Sequence, residues 1–180
     1  RVAEYAQIIA LGMELPESEV NTVVRAGLLH DIGKIGVPDR VLQKPGRLTE
    51  EEQNLVRKHP EYGWAILRLF PGFERASLLI LHHHERIDGN GYPAGLKGAE
   101  IPLGSRIVAL VDAFDAMISS RSYRQGLPLE EAVRRLVADS GTHFDREVAQ
   151  HFVLLVAQEL PDVSQIAEPF SYAPIATQDV

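Results

Sequence analysis

Apolar residues recur along this chain at i, i+3 and i+4, and nowhere do they alternate with polar residues between hairpin turns. Val2, Tyr5, Ala6, Ile9 and Ala10 form the first such face, so the spacing predicts an amphipathic helix already under way at residue 1. Gly12 and Pro16 are expected to end it. A second helix is predicted over 18–29, with Ser18 as its N-cap and Val20, Val23, Val24 and Leu28 on its apolar face. Residues 36–46 carry turn formers throughout and predict an irregular connection with at most one helical turn. Thr49 and Glu52 stand at capping-box spacing, which predicts a helix from Thr49 to about Lys58. His59-Pro60 opens the next segment, 61–69, with Trp64, Leu67 and Leu69 expected in the core. Further helices are predicted over 73–84, 106–119, 128–139 and 145–160, with a long loop punctuated by Gly and Pro over 89–104. Residues 161–180 lack periodicity and read as a tail or linker after one domain over 1–160. The pattern is that of an all-α helical bundle.

Composition narrows what such a bundle can do. A net charge of −7 argues against a nucleic-acid polymer as partner, because such proteins show a basic excess or stripe. There is no Cys, which rules out disulfides, thiolate metal sites and a cysteine nucleophile. No apolar run approaches the roughly 18 residues a membrane span needs, and no signal peptide is visible, so no membrane contact is expected and a cytoplasmic location is. The chain opens in helical register without Met, and is read as a fragment whose first helix is truncated.

The chemistry sits on the polar residues that interrupt these apolar faces. His30-Asp31 follows an apolar helix and offers a compact N,O ligand pair, although it is equally an ordinary helix end. His59 stands alone before a Pro. His82-His83-His84 are three imidazoles in a row; successive helical positions lie roughly 100° apart, so two at most can face one ion. Asp112, with Asp115 one turn on, lies in a strongly apolar run where a carboxylate is costly unless coordinated or paired, Arg106 or Arg121 being the ion-pair alternative. Arg121 and Arg124 could clamp phosphate or serve a helix C-terminus. His143 and His151 read as structural or surface residues. Together His30, Asp31, His59, His83, His84 and Asp112 form a sulfur-free N,O set suited to borderline or hard divalent ions.

His30-Asp31-Ile32-Gly33-Lys34, His59, His83-His84-Glu85, Asp88-Gly89-Asn90-Gly91-Tyr92-Pro93 and Asp112-Ala113-Phe114-Asp115-Ala116 resemble the HD-GYP family, a subgroup of the HD-domain metal phosphohydrolases, over about residues 1–155. The resemblance implies an HD-domain-like helical bundle with a long GYP loop. It implies a bacterial signalling phosphodiesterase that hydrolyses cyclic di-GMP to pGpG or GMP. The alternatives are a non-catalytic cyclic-dinucleotide sensor or interaction module, or an HD-type hydrolase of another cyclic nucleotide such as cyclic GMP-AMP. Carried over by position, the metal ligands are His30, Asp31, His59, His83, His84 and Asp112, with Asp31 bridging and catalytic beside Lys34, and with His82 as the spare histidine. Lys34, Gly91, Tyr92, Asp115, Arg121 and Arg124 fall on the substrate side. Two or three divalent ions are implied, iron or manganese first and zinc, nickel or magnesium otherwise, together with an upstream sensory or receiver domain and a homodimer. The family's first ligand histidine falls three residues before the position matching Arg1, outside this sequence, so the resemblance implies one under-coordinated metal and impaired activity in the chain as given.

Overall fold

The computed structural model describes residues 1–120 and 125–159, the side chains of 157–159 excepted. The expectations for Arg121, Arg124 and the tail at 161–180 lie outside the described residues. Among those residues the fold is all-α. The helices are α1 (Val2–Gly12), α2 (Glu17–Leu29), α3 (Asp39–Leu42), α4 (Glu50–Val56), α5 (His59–Leu67), α6 (Glu74–Leu81), α7 (Leu103–Ile118), α8 (Leu129–Ala138) and α9 (Arg146–Glu159). Short 3₁₀ turns at Ile32–Gly36 and Gly98–Glu100 join them.

The centre of the bundle is α7. Its Ile107, Val108, Leu110, Val111 and Phe114 are all buried, and α1, α2, α6, α8 and α9 pack around it. Phe114 meets Tyr5 of α1 and Phe152 of α9 edge-to-face, with ring centroids 5.6 and 4.7 Å apart. Ser105, buried in α7, is satisfied by donating to the Leu79 carbonyl at 2.9 Å, whereas Asp112 turns toward the end of α2, its Oδ1 3.5 Å from His30 Nε2.

Several local expectations are met and others are corrected. The Thr49–Glu52 capping box is formed, with Thr49 N–H donating to Glu52 Oε2 and Glu52 N–H to Thr49 Oγ1. Ser18 is not the cap of α2. Pro16, with φ −55 and ψ 146, is the N-cap: its ring fixes φ and its carbonyl accepts from the N–H groups of Glu19 and Val20 at 2.8 and 3.0 Å. Leu28 and Leu69, expected in the core, are 71% and 73% exposed; both sit where their helix has ended or is ending. α7 begins three residues early, after Pro102. Most consequential is α6, which stops at Leu81 instead of running to residue 84, so that His82 to His84 leave the helix in turns.

Candidate metal centre

Three histidines are aimed by one local rule. Nδ1 of His30, His59 and His83 lies 2.8, 2.8 and 2.5 Å from the carbonyl oxygens of Gly27, Val56 and Ile80, in each case three residues back along the chain. A carbonyl only accepts, so Nδ1 carries the proton and Nε2 presents its lone pair to the interior. The backbone thereby fixes tautomer and ring orientation together. That signal was legible only in three dimensions, since the partner is main chain and has no residue identity to read.

These lone pairs converge. Nε2 of His59 and Nε2 of His83 are 3.4 Å apart, and ligand atoms of His59, His83 and His84 all lie within 4.8 Å of one another. Asp31 splits its carboxylate: Oδ1 is 3.5 Å from His59 Nε2 and Oδ2 is 3.6 Å from His30 Nε2. Asp112 Oδ1 is 3.5 Å from His30 Nε2. Acceptor facing acceptor at such distances is repulsive unless a cation or proton stands between, so the donor set fits divalent metal.

Burial sharpens the same conclusion. Loss of solvent lowers the pKa of His59, and lowers that of His83 well below the ordinary imidazole value, with the neighbouring His84 adding to the effect. His84 is pushed down to about 3 by burial and then by His59 and His30. All three are neutral ligands at physiological pH. Burial also opposes the His30 imidazolium, but Asp112, Asp31 and the Gly27 carbonyl outweigh it and raise its pKa. Desolvation works against the Asp112 carboxylate too, yet His30 holds its pKa below the usual range.

Two glycines permit this assembly. A Cβ on Gly33 would sit 1.9 Å from the His59 carbonyl oxygen, so only Gly lets the 3₁₀ turn after Asp31 lie against α5. A Cβ on Gly91 would sit 2.4 Å from Arg86 N and 2.5 Å from Glu85 Cα, so the loop folds back directly onto the segment after His84. Buried Glu85 then ties the loop down, accepting from the N–H groups of Ala94 at 2.7 Å and Leu96 at 3.1 Å. The Tyr92 N–H donates to the His84 carbonyl at 3.1 Å, and the Tyr92 ring stacks on His84 with centroids 4.9 Å apart.

His30, Asp31, His59, His83, His84, Asp112 and Tyr92 therefore meet in one place. The Lys34 ammonium lies there as well, 2.6 Å from Asp31 Oδ2. His82 turns away from the cluster, its buried Nδ1 3.7 Å from Glu85 Oε1 and without a hydrogen bond. Asp115 does not face the cluster: Arg1 Nε lies 2.8 Å from its Oδ1, a close ion pair outside good hydrogen-bond geometry, and Ser119 Oγ donates to its Oδ2 at 3.2 Å. Arg106, considered as a partner for these aspartates, pairs instead with Asp145 at 2.9 Å. Two contributors had no place in the sequence reading. Glu85 served there only as a motif marker, and Arg57, with its guanidinium carbon 5.6 Å from the Tyr92 ring centroid, carried no pattern at all.

Residues 1–148 match the HD domain family. The chain is 44% identical over 147 residues to the cyclic di-GMP phosphodiesterase response regulator RpfG of Xanthomonas campestris, covering 81% of this chain and 39% of that protein. It is 45% identical over 165 residues to a cyclic di-GMP phosphodiesterase of Thermotoga maritima, covering 91% and 45%. The chain thus spans less than half the length of these curated relatives. Among solved structures, a cyclic GMP-AMP specific phosphodiesterase of Vibrio cholerae shares the fold, with a TM-score of 0.69 and 23% identity over 97% of this chain and 48% of that one.

Proposed function

The chain belongs to the HD domain family and carries its HD-GYP pattern, and from that premise we propose that it hydrolyses cyclic di-GMP to pGpG and/or GMP in the bacterial cytoplasm, as a metal-dependent phosphodiesterase. The observation that carries this reading is the convergence of lone pairs from His59, His83 and His84 beside Asp31 and Asp112, directly against the Tyr92 loop. The identity to two proteins named as cyclic di-GMP phosphodiesterases supports the substrate.

His30, Asp31, His59, His83, His84 and Asp112 would together hold the divalent ions. Iron or manganese suits this N,O set. Such ions, when bound, would polarise a phosphodiester and lower the pKa of the attacking water. Lys34, 2.6 Å from Asp31 Oδ2, would donate a proton to the leaving 3′ oxygen as the phosphorus–oxygen bond breaks. Tyr92, fixed on one side by His84, offers an aromatic edge to a ribose or base. Neutral His83 and His84 keep the centre ready to accept cations without first losing protons.

The test is hydrolysis of cyclic di-GMP by the full-length gene product loaded with manganese or iron(II), with pGpG and GMP resolved chromatographically and cyclic GMP-AMP run in parallel. Turnover is expected, and His83→Ala should lower it by about a hundredfold or more through loss of metal. Tight nucleotide binding with no pGpG released from the metal-loaded protein would instead establish a sensor.

A further inference from the structure

The charged groups around the centre are mostly answered within the molecule. Lys34 is held by Asp31, Lys44 by Glu52 and Arg86 by Asp88. Arg57 is different. It has no carboxylate partner among the described residues, its side chain is exposed, and its guanidinium rests against the Tyr92 ring. Its neighbour Lys58 lines a separate groove with Glu61, Tyr62 and Trp64.

The backbone sets Arg57 in place. It caps the C-terminus of α4, donating its N–H to the Gln53 carbonyl at 2.8 Å, and the preceding Val56 carbonyl accepts the His59 Nδ1–H. A continuous path runs from the guanidinium to Tyr92, from Tyr92 to His84, and from His84 to His59, whose ring centroid is 5.0 Å away. Tyr92 is the midpoint of that path: burial raises its phenol to about 12, Arg57 pulls it down, and Asp112 and Asp31 push it up. A cation with no carboxylate partner among the described residues therefore stands against the same Tyr92 ring that stacks on His84.

Resting on the reading of this site as a cyclic-dinucleotide phosphodiesterase, we propose that Arg57, oriented on the Tyr92 ring, binds the phosphate of the substrate that is not being cleaved. A cyclic dinucleotide carries two phosphodiesters on opposite sides of one macrocycle, so when one occupies the centre the other lies a ring's width away. A planar guanidinium meets a phosphate with two parallel N–H donors, and an aromatic face orients it without cancelling its charge. A substrate with a single phosphate does not reach Arg57.

Arg57→Gln and Arg57→Lys in the metal-loaded protein test this. For Arg57→Gln the KM for cyclic di-GMP should rise about tenfold to a hundredfold, the worth of one or two charge-assisted hydrogen bonds, with kcat held within about twofold. Arg57→Lys should fall between. The KM for bis(p-nitrophenyl) phosphate, which has one phosphate, should move by less than about twofold. Inhibition by cyclic di-AMP should weaken by the same factor as cyclic di-GMP binding. An unchanged KM overturns the proposal. So does a loss confined to the guanine ligand, which would make Arg57 a base reader, and so does a kcat loss shared by both substrates, which would make it a support for His59. If the parent protein does not cleave cyclic di-GMP, the phosphodiesterase reading fails by itself. Calorimetric Kd values for uncleaved cyclic di-GMP, parent against Arg57→Gln, then decide the role of Arg57, with a ratio below about threefold overturning it.

Discussion

A buried imidazole whose burial outweighs any nearby anion sheds its proton, and His59, His83 and His84 all do so here, His59 in spite of the Asp31 carboxylate 3.5 Å from its Nε2. The consequence for stability has a definite sign. In the unfolded chain these groups titrate near the ordinary 6.5, whereas in the folded protein His84 titrates at about 3 and the others below 6.5. Between those values the unfolded state binds more protons, so stability is complete above about pH 7 and is lost as pH falls through 6.5 toward 3. His30 has the opposite sign, its raised pKa favouring the fold at low pH, but it is one group against three. Metal-free protein should therefore show a urea midpoint that drops steadily from pH 7.5 to pH 5, and a flat profile over that range would contradict the burial of these rings. At this scale the sequence was informative about which side chains meet, because His, Asp and their spacing are visible in it. It was silent on how they are aimed, because the carbonyls of Gly27, Val56 and Ile80 carry no side-chain signature.

Among the elements, the decisive one is the short stretch where α6 ends. A regular helix through residue 84 would have fanned the three histidines roughly 100° apart. Leaving the helix after Leu81 lets the rings of His83 and His84 lie with centroids 4.0 Å apart and face one cluster. The apolar run Leu78 to Leu81 gave no warning of the stop, since periodicity cannot say where a helix frays. The capping box at Thr49 was legible for the converse reason: both partners are side chains at fixed spacing. Glu85 completes the turn by anchoring the loop, and Glu85→Gln tests that role. An amide keeps one acceptor oxygen but points N–H groups at a backbone donor, leaving Ala94 or Leu96 unsatisfied at a cost of about 1–3 kcal/mol. Amide hydrogen exchange at residues 92–96 should accelerate by about tenfold or more, while exchange in α7 stays unchanged. Equal acceleration in both would mean that the substitution unfolds the domain rather than freeing the loop.

For the molecule as a whole, an all-α bundle was readable from periodicity, and the packing of α1, α2, α6, α8 and α9 about α7 was not, because apolar faces do not name their partners. What the assembly achieves is to bring four separate pieces of chain to one point: the end of α2 with His30 and Asp31, the start of α5 with His59, the turn after α6 with His83 and His84, and the middle of α7 with Asp112. A ligand bound by all four is linked to the global fold, since the unfolded chain cannot present that geometry. At a free metal concentration of about one hundred times Kd the linkage is worth about 2.7 kcal/mol. For a domain of this size that corresponds to a rise in Tm of roughly 5–10 °C. Removing metal with EDTA should reverse the rise, and readdition of manganese or iron(II) should restore it. His83→Ala should have a lower Tm from the lost buried ring and should show a clearly smaller EDTA shift, because the cluster of three ligand atoms is broken while His30, Asp31 and Asp112 remain. A His151→Ala variant, whose histidine on α9 lies outside the cluster, should respond to EDTA as the parent does. If the EDTA shift persists undiminished in His83→Ala, the ion binds elsewhere and the convergence of these four elements serves the fold alone.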